Sequence, residues 1–273
     1  MQKFNYHNHT YRCGHADLDM SDEDYVLEYI KFGFKEMAFT DHCPQKNKID
    51  FRNNMRMEYS DRLEYLESIN KLKENYKDKI KIKVGYEVEY LPGEEENLKE
   101  LKEESDIIVL GQHYIYDNNK NLRFVRPGNK FSDSELLEYA HYIEKTMELG
   151  IPNIVAHPDL YMYTRESFDD TCKEVAHIIC KASLKYNIPI EINLSNIYEN
   201  IFYRNRKLSI TERLKNVTYP CKEFWKIVSE YDVKVLYGID AHHRNQVLTF
   251  DKTEQLANQI IGEEIINKLN FID

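Results

Sequence analysis

The 273-residue chain is expected to fold as one α/β domain, a distorted (β/α)7 TIM-like barrel running from residue 1 to 273. Three observations carry that expectation. Strand and helix patterns alternate from end to end. The strand segments are short apolar runs, as strands of a covered parallel sheet are. No linker, low-complexity stretch or repeat divides the chain. About seven strand–helix units in one domain make a closed or nearly closed barrel, whose active site lies where the strands end.

The first strand is Lys3-Phe4-Asn5-Tyr6, and it runs into His7-Asn8-His9. Ser21 with Asp22-Glu23-Asp24 caps an amphipathic helix carrying Tyr25, Leu27, Tyr29, Ile30 and Phe34. Residues 35–40 form a second strand ending in Asp41-His42, and a loop rich in Lys, Asn and Arg follows to about Met57. A helix from about Tyr59 to Tyr76 turns Leu63, Leu66, Ile69 and Leu72 to one face. Residues 79–84 alternate with period two into Gly85-Tyr86-Glu87-Val88-Glu89. After a short acidic helix (94–103), Asp106-Ile107-Ile108-Val109-Leu110 leads to His113. A capped helix (132–149) precedes the strand ending at His157, and a helix (169–186) precedes the strand ending at Asn193. A helix from about Pro220 to Tyr231 then leads to Val233-Lys234-Val235-Leu236-Tyr237 and on to Asp240 and His242, and a last helix covers about 252–269.

The net charge is -10, which argues against general affinity for nucleic acid or an anionic membrane. An acidic chain can still take an anionic substrate if bound cations supply local positive charge. Five cysteines, none in CxxC spacing, and no signal or membrane-spanning stretch point to a reduced, cytoplasmic protein.

The chemistry is carried by the strand ends. His7 and His9, two apart on one strand, present their imidazoles side by side. His42, Glu87, His113, His157, Asn193, Asp240 and His242 follow at later strand ends, with His15 in a loop. Of the ten histidines, only His141, His177 and His243 fall outside this set. Neutral imidazoles with a few carboxylates suit Zn, Mn or Fe rather than Mg or Ca. The donors are too many for one tetrahedral ion, so about two or three ions sharing a carboxylate fit better. Glu89 shares a strand face with Glu87, and spacing does not separate them.

Together, His7-Asn8-His9, Thr40-Asp41-His42, Gly85-Tyr86-Glu87, His113, Ala156-His157-Pro158 and Gly238-Ile239-Asp240-Ala241-His242 make the chain resemble the polymerase-and-histidinol-phosphatase (PHP) superfamily of metal-dependent phosphoesterases. The motifs run from first strand to last in family order. Cys13-Gly14-His15-Ala16, Gly85 to Gly93 and Glu191-Ile192-Asn193-Leu194-Ser195 resemble its monofunctional histidinol-phosphatase branch, which usually has a Ser-Val-His type sequence where this chain has Gly111-Gln112-His113. The resemblance implies a trinuclear centre: His7, His9 and Asp240 on one ion, Glu87 bridging to a second held by His113 and His157, and His15, His42 and His242 on a third. The Gly-x-Glu match favours Glu87 over Glu89 as the bridge. It also implies hydrolysis of L-histidinol phosphate to L-histidinol and phosphate in histidine biosynthesis. The alternatives are another small phosphate ester, such as a nucleotide or sugar phosphate, or a non-catalytic metal-binding domain.

Metal ions neutralise phosphate oxygens and lower the pKa of a bound water, so no Ser or Cys nucleophile is needed. No Walker-type glycine loop and no Gly-x-Ser-x-Gly elbow is present. Glu87, Asp240 and His242 are the expected catalytic set. Asp41 is taken with them as acid, although Asp17 and His243 are equally compatible with the spacing. An Arg fork matches phosphate oxygens, and Arg165 with either Arg204 or Arg206 is expected to supply it. The expected partner is a small phosphorylated substrate, with no nucleic acid and no membrane.

Overall fold

The computed structural model describes residues 2–46, 55–204 and 207–272. Eight strands form one parallel sheet in chain order: β1 (Phe4–Asn5), β2 (Glu36–His42), β3 (Lys81–Val88), β4 (Ile107–Leu110), β5 (Ile154–Val155), β6 (Ile190–Asn193), β7 (Lys234–Gly238) and β8 (Asn270–Phe271). The sheet curls into the expected TIM-like barrel, and helices between successive strands cover its outside. Seven strands are those read from the sequence. The eighth, two residues long, pairs with the lower half of β7 and is too short to carry a period.

The seam between β1 and β7 explains the distortion. At the strand ends it closes through a parallel bridge between Asn8 and Ala241, with the His9 amide donating to Ala241 O at 2.9 Å. Lower down, side chains span the gap. Gln2 donates to Tyr237 O and accepts from Tyr237 N, and Asn5 Oδ1 accepts from Ile239 N. These contacts satisfy backbone groups that a complete ladder would otherwise pair. They also fix the segment that carries His7 and His9 against the segment that carries Asp240 and His242.

Ser21 and Ser132 each close a capping box, with Asp24 and Glu135, as their positions before acidic first turns predict. Helix Arg62–Tyr76 buries Tyr65, Ile69 and Leu72 but leaves Leu63 exposed, so its buried face is rotated from the expected one. Inside the barrel, Ala38, Ile107, Val109, Ile154, Ala156 and Leu236 form a small apolar floor distinct from the large core beneath the helices. Gly85 is required where β3 meets β4, because a Cβ there would lie 1.6 Å from Ile107 O. Beyond β4, Tyr114–Tyr116 and Leu122–Phe124 make an antiparallel hairpin that the sequence reading missed. Among the described residues, no helix is long and apolar enough to cross a membrane.

Candidate metal centre

Period-two geometry delivers polar side chains to one end of this barrel. Glu87 on β3 is the hub. Its Oε1 lies 3.0 Å from His157 Nε2, 3.4 Å from His7 Nε2 and 3.5 Å from His113 Nε2. Its Oε2 lies 2.8 Å from His42 Nδ1 and 3.5 Å from His9 Nε2. Asp240 Oδ1 lies 3.1 Å from His9 Nε2 and 3.4 Å from His7 Nε2. His15, His42 and His242 converge beside them, the His15 and His242 ring centroids 4.4 Å apart.

Several of these atoms are buried without a well-aligned hydrogen bond, although His42 Nδ1 and Glu87 Oε2 lie close together: His7 Nε2, both nitrogens of His9, His42 Nδ1, His157 Nδ1, His242 Nε2 and Glu87 Oε2. Such a concentration of unsatisfied groups is costly unless a cation binds there. The donors sort into compact groups that could each hold an ion, among them His7–His9–Asp240, His7–Glu87–His157, His9–His42–Glu87 and His15–His42–His242. The donor set therefore fits borderline transition-metal ions.

The electrostatics divide the rings: against the effect of burial, the carboxylates around them raise His7 and His113, while four other rings are lowered. Burial, with the neighbouring imidazoles, pushes His15 down to about 4 and His242 to about 3. Burial also lowers His9 and His42. These rings are neutral near pH 7, the form that ligates. Burial alone would raise Glu87 and Asp240, but the surrounding histidines outweigh it and hold both carboxyls well below their usual range.

Behind the cluster, further groups orient the rings. His7 Nδ1 donates to Glu191 at 2.9 Å, and Asn193 Nδ2 donates to both Glu191 and Asp240. His113 Nδ1 donates to Glu89 Oε1 at 3.1 Å. His15 and His242 donate to the carbonyls of Cys13 and Asp240. Gln246 accepts from the His242 and His243 amides and donates to Asp240 O. That clamp sits on a turn where Asp240 has φ +51°; His157 is likewise left-handed at +28°. Left-handed backbone at two residues of the cluster persists only where surrounding contacts enforce it. Period two could have found Glu191, two residues before Asn193; nothing local marks Gln246.

The structure separates Glu87 from Glu89, which the sequence left side by side. Glu89 stands behind His113 and pairs with Arg56. Asp41 does not face the cluster opening as an acid should. It is wholly buried, and its oxygens accept from Thr10 N at 2.6 Å and Thr10 Oγ1 at 2.5 Å. Its carboxyl, raised to about 7 by burial, backs the His9 ring at 3.8 Å. His243 stands better placed at the rim, its Nδ1 2.7 Å from Asp17 and its ring stacked on Tyr203. Arg165 departs from expectation too. Its guanidinium pairs with Asp133 and Asp169 and donates to Phe131 O, so it braces the loops instead of presenting an open fork. Arg204 is exposed and pairs with Glu199, which lies 3.9 Å from His243. Arg206 lies outside the described residues.

Comparisons with known proteins extend this picture. Residues 5–195 match the model of the PHP domain family. A Schizosaccharomyces pombe protein named a probable histidinol-phosphatase is 25% identical over 262 residues, covering 88% of this chain and 81% of that protein. A candidate histidinol phosphatase from Listeria monocytogenes superposes with a TM-score of 0.72 at 22% identity, covering 89% of this chain and 97% of that one. A Lactococcus lactis histidinol phosphate phosphatase, solved with zinc, L-histidinol and phosphate, superposes with a TM-score of 0.65 at 18% identity over 94% of both chains.

Proposed function

The chain belongs to the PHP domain family, and from that premise we propose that it is a metal-dependent phosphomonoesterase whose substrate is L-histidinol phosphate. The observation that carries the proposal is the buried cluster of histidines around Glu87 and Asp240, with its unsatisfied ligand atoms. The names of the S. pombe and L. lactis relatives support the substrate. The zinc in the L. lactis complex supports a transition metal.

His7, His9 and Asp240 would hold one ion, Glu87, His113 and His157 a second, and His15, His42 and His242 a third. When bound, such ions neutralise the phosphate oxygens and acidify water towards neutrality. The protein's own groups do the rest. Glu87 reaches both the His7–His9 side and the His113–His157 side, which suits a bridging carboxylate. Glu191 and Asn193 hold the His7 ring, and Gln246 holds the Asp240–His243 turn. Arg204 at the rim would meet the phosphate, exchanging its exposed pair with Glu199 for phosphate oxygens. His243, backed by Asp17, would hold the proton for the leaving alkoxide in place of Asp41. All five cysteines are free and buried, and a cytoplasmic location goes with the proposal.

The test is a steady-state screen of metal-reconstituted protein over small phosphomonoesters. L-histidinol phosphate should give the highest kcat/KM. Preference for a nucleotide or sugar phosphate would remove the substrate assignment, and no hydrolysis of any ester would remove the enzyme.

A further inference from the structure

The segment after the 47–54 stretch sends one side chain back into the barrel mouth. Arg56 donates through both terminal nitrogens to Glu89, Nη1 to Oε2 and Nη2 to Oε1, each at 3.1 Å. Nη1 also donates to Cys43 O at 3.0 Å. Glu89 is 2% exposed, and its Oε1 accepts from His113 Nδ1 at 3.1 Å. One guanidinium thus ties the residue after His42, at the end of β2, to the carboxylate beyond β3, and that carboxylate fixes a ring beyond β4. His113 Nε2 is left pointing at Glu87 Oε1, 3.5 Å away.

We propose that Arg56 is a positioning residue for the metal centre: acting through Glu89, it sets the His113 ring and so governs occupancy of the ion site shared by Glu87, His113 and His157. Two physical facts make the arrangement specific. A planar fork holds a carboxylate in one orientation, which an ammonium cannot do. A buried carboxylate that loses its guanidinium partner is left to the group it keeps, the His113 ring, and nothing then fixes the orientation of that pair. Without Arg56, Glu89 is no longer held in register, and the ring it carries can leave Glu87. The other two proposed ion groups contain neither Glu89 nor His113, so the effect should be local. The inference rests on the metal-centre reading, and not on the identity of the substrate.

The test is metal content per chain, by elemental analysis of protein loaded with zinc and then dialysed against graded chelator, with thermal melting in parallel. Wild-type stoichiometry tests the metal centre, and the variants test the clamp. Arg56→Ala should weaken retention of one ion about ten- to a hundred-fold while the remaining ions stay at wild-type affinity. Glu89→Ala should give the same selective loss. Arg56→Lys should recover part of it, because charge returns without the fork. A merely structural role would lower the melting temperature without singling out one ion. The proposal is overturned if Arg56→Ala and Glu89→Ala keep every ion at wild-type affinity, or lose all ions together while remaining folded. If Arg56→Ala does not fold, Arg56→Lys and Glu89→Ala decide alone, and wild-type retention in both overturns it.

Discussion

Gly111→Ala places one methyl group against the hub of the centre. A Cβ built at Gly111 would lie 1.9 Å from Glu87 Oε1, 2.6 Å from Glu87 Cδ and 2.8 Å from His113 Cε1. Gly111 is not among the glycines with positive φ, so its backbone accepts alanine and the effect is purely one of space. Ordinary contact begins near 3.4 Å, so the carboxylate oxygen must retreat by about 1.5 Å or the β3 and β4 ends must part, since a packed site yields little. Neither oxygen has a free direction, with His157 Nε2 3.0 Å from Oε1 and His42 Nδ1 2.8 Å from Oε2. Overpacking of this kind costs about 1–3 kcal/mol of stability. Displacing a bridging ligand by about 1 Å is worth about a hundred-fold or more in rate. The expected result is a folded protein, a few degrees less stable, with kcat/KM for L-histidinol phosphate down at least about a hundred-fold and fewer ions per chain. Wild-type kcat/KM and metal content in Gly111→Ala would refute the assignment of Glu87 as the hub.

Glu87→Ala should abolish hydrolysis and deplete metal, whereas Glu89→Ala should keep the ions that do not depend on His113; comparable residual kcat and metal content in the two variants would count against the bridge. Arg204→Ala should weaken inhibition by inorganic phosphate about ten- to a hundred-fold, the worth of a charged hydrogen bond, with metals retained. Arg165→Ala should instead lower thermal stability through loss of its Asp133 and Asp169 pairs and change phosphate inhibition little; the reverse ranking in product-inhibition kinetics would restore Arg165 as the phosphate ligand. His243→Asn should lower kcat about a hundred-fold or more with metal content unchanged, as loss of a proton donor does, and an unaffected kcat would leave the leaving group to another acid.

Much of the site is legible in the sequence because its rule is simple. Residues two apart on a strand share a face, and this rule places His7 beside His9 and Glu87 beside Glu89. The caps at Ser21 and Ser132 are equally local. What is not legible depends on partners distant in sequence. Arg165 reads as an open cation until Asp133, at the start of the helix capped by Ser132, pairs with it. Asp41 reads as an available acid until folding buries it against Thr10. Spacing leaves Glu89 beside Glu87; the Gly-x-Glu match favours Glu87, and what Glu89 does instead is visible only through Arg56 and His113. The hairpin at 114–124 was readable in principle, since Asp117-Asn118-Asn119 separates two short β-prone runs. Strand β8 has only two residues and is defined by its neighbour β7.

The central claim, that this cluster of histidines is a working metal centre for phosphate ester hydrolysis, is tested most directly by metal titration. Chelator-stripped protein is mixed with increasing zinc or manganese, and the rate of phosphate release from L-histidinol phosphate is followed against equivalents added. The account predicts negligible rate without metal and a rise to a plateau at about two or three equivalents per chain. A rate unaffected by stripping, or no phosphate release at saturating metal, would contradict it.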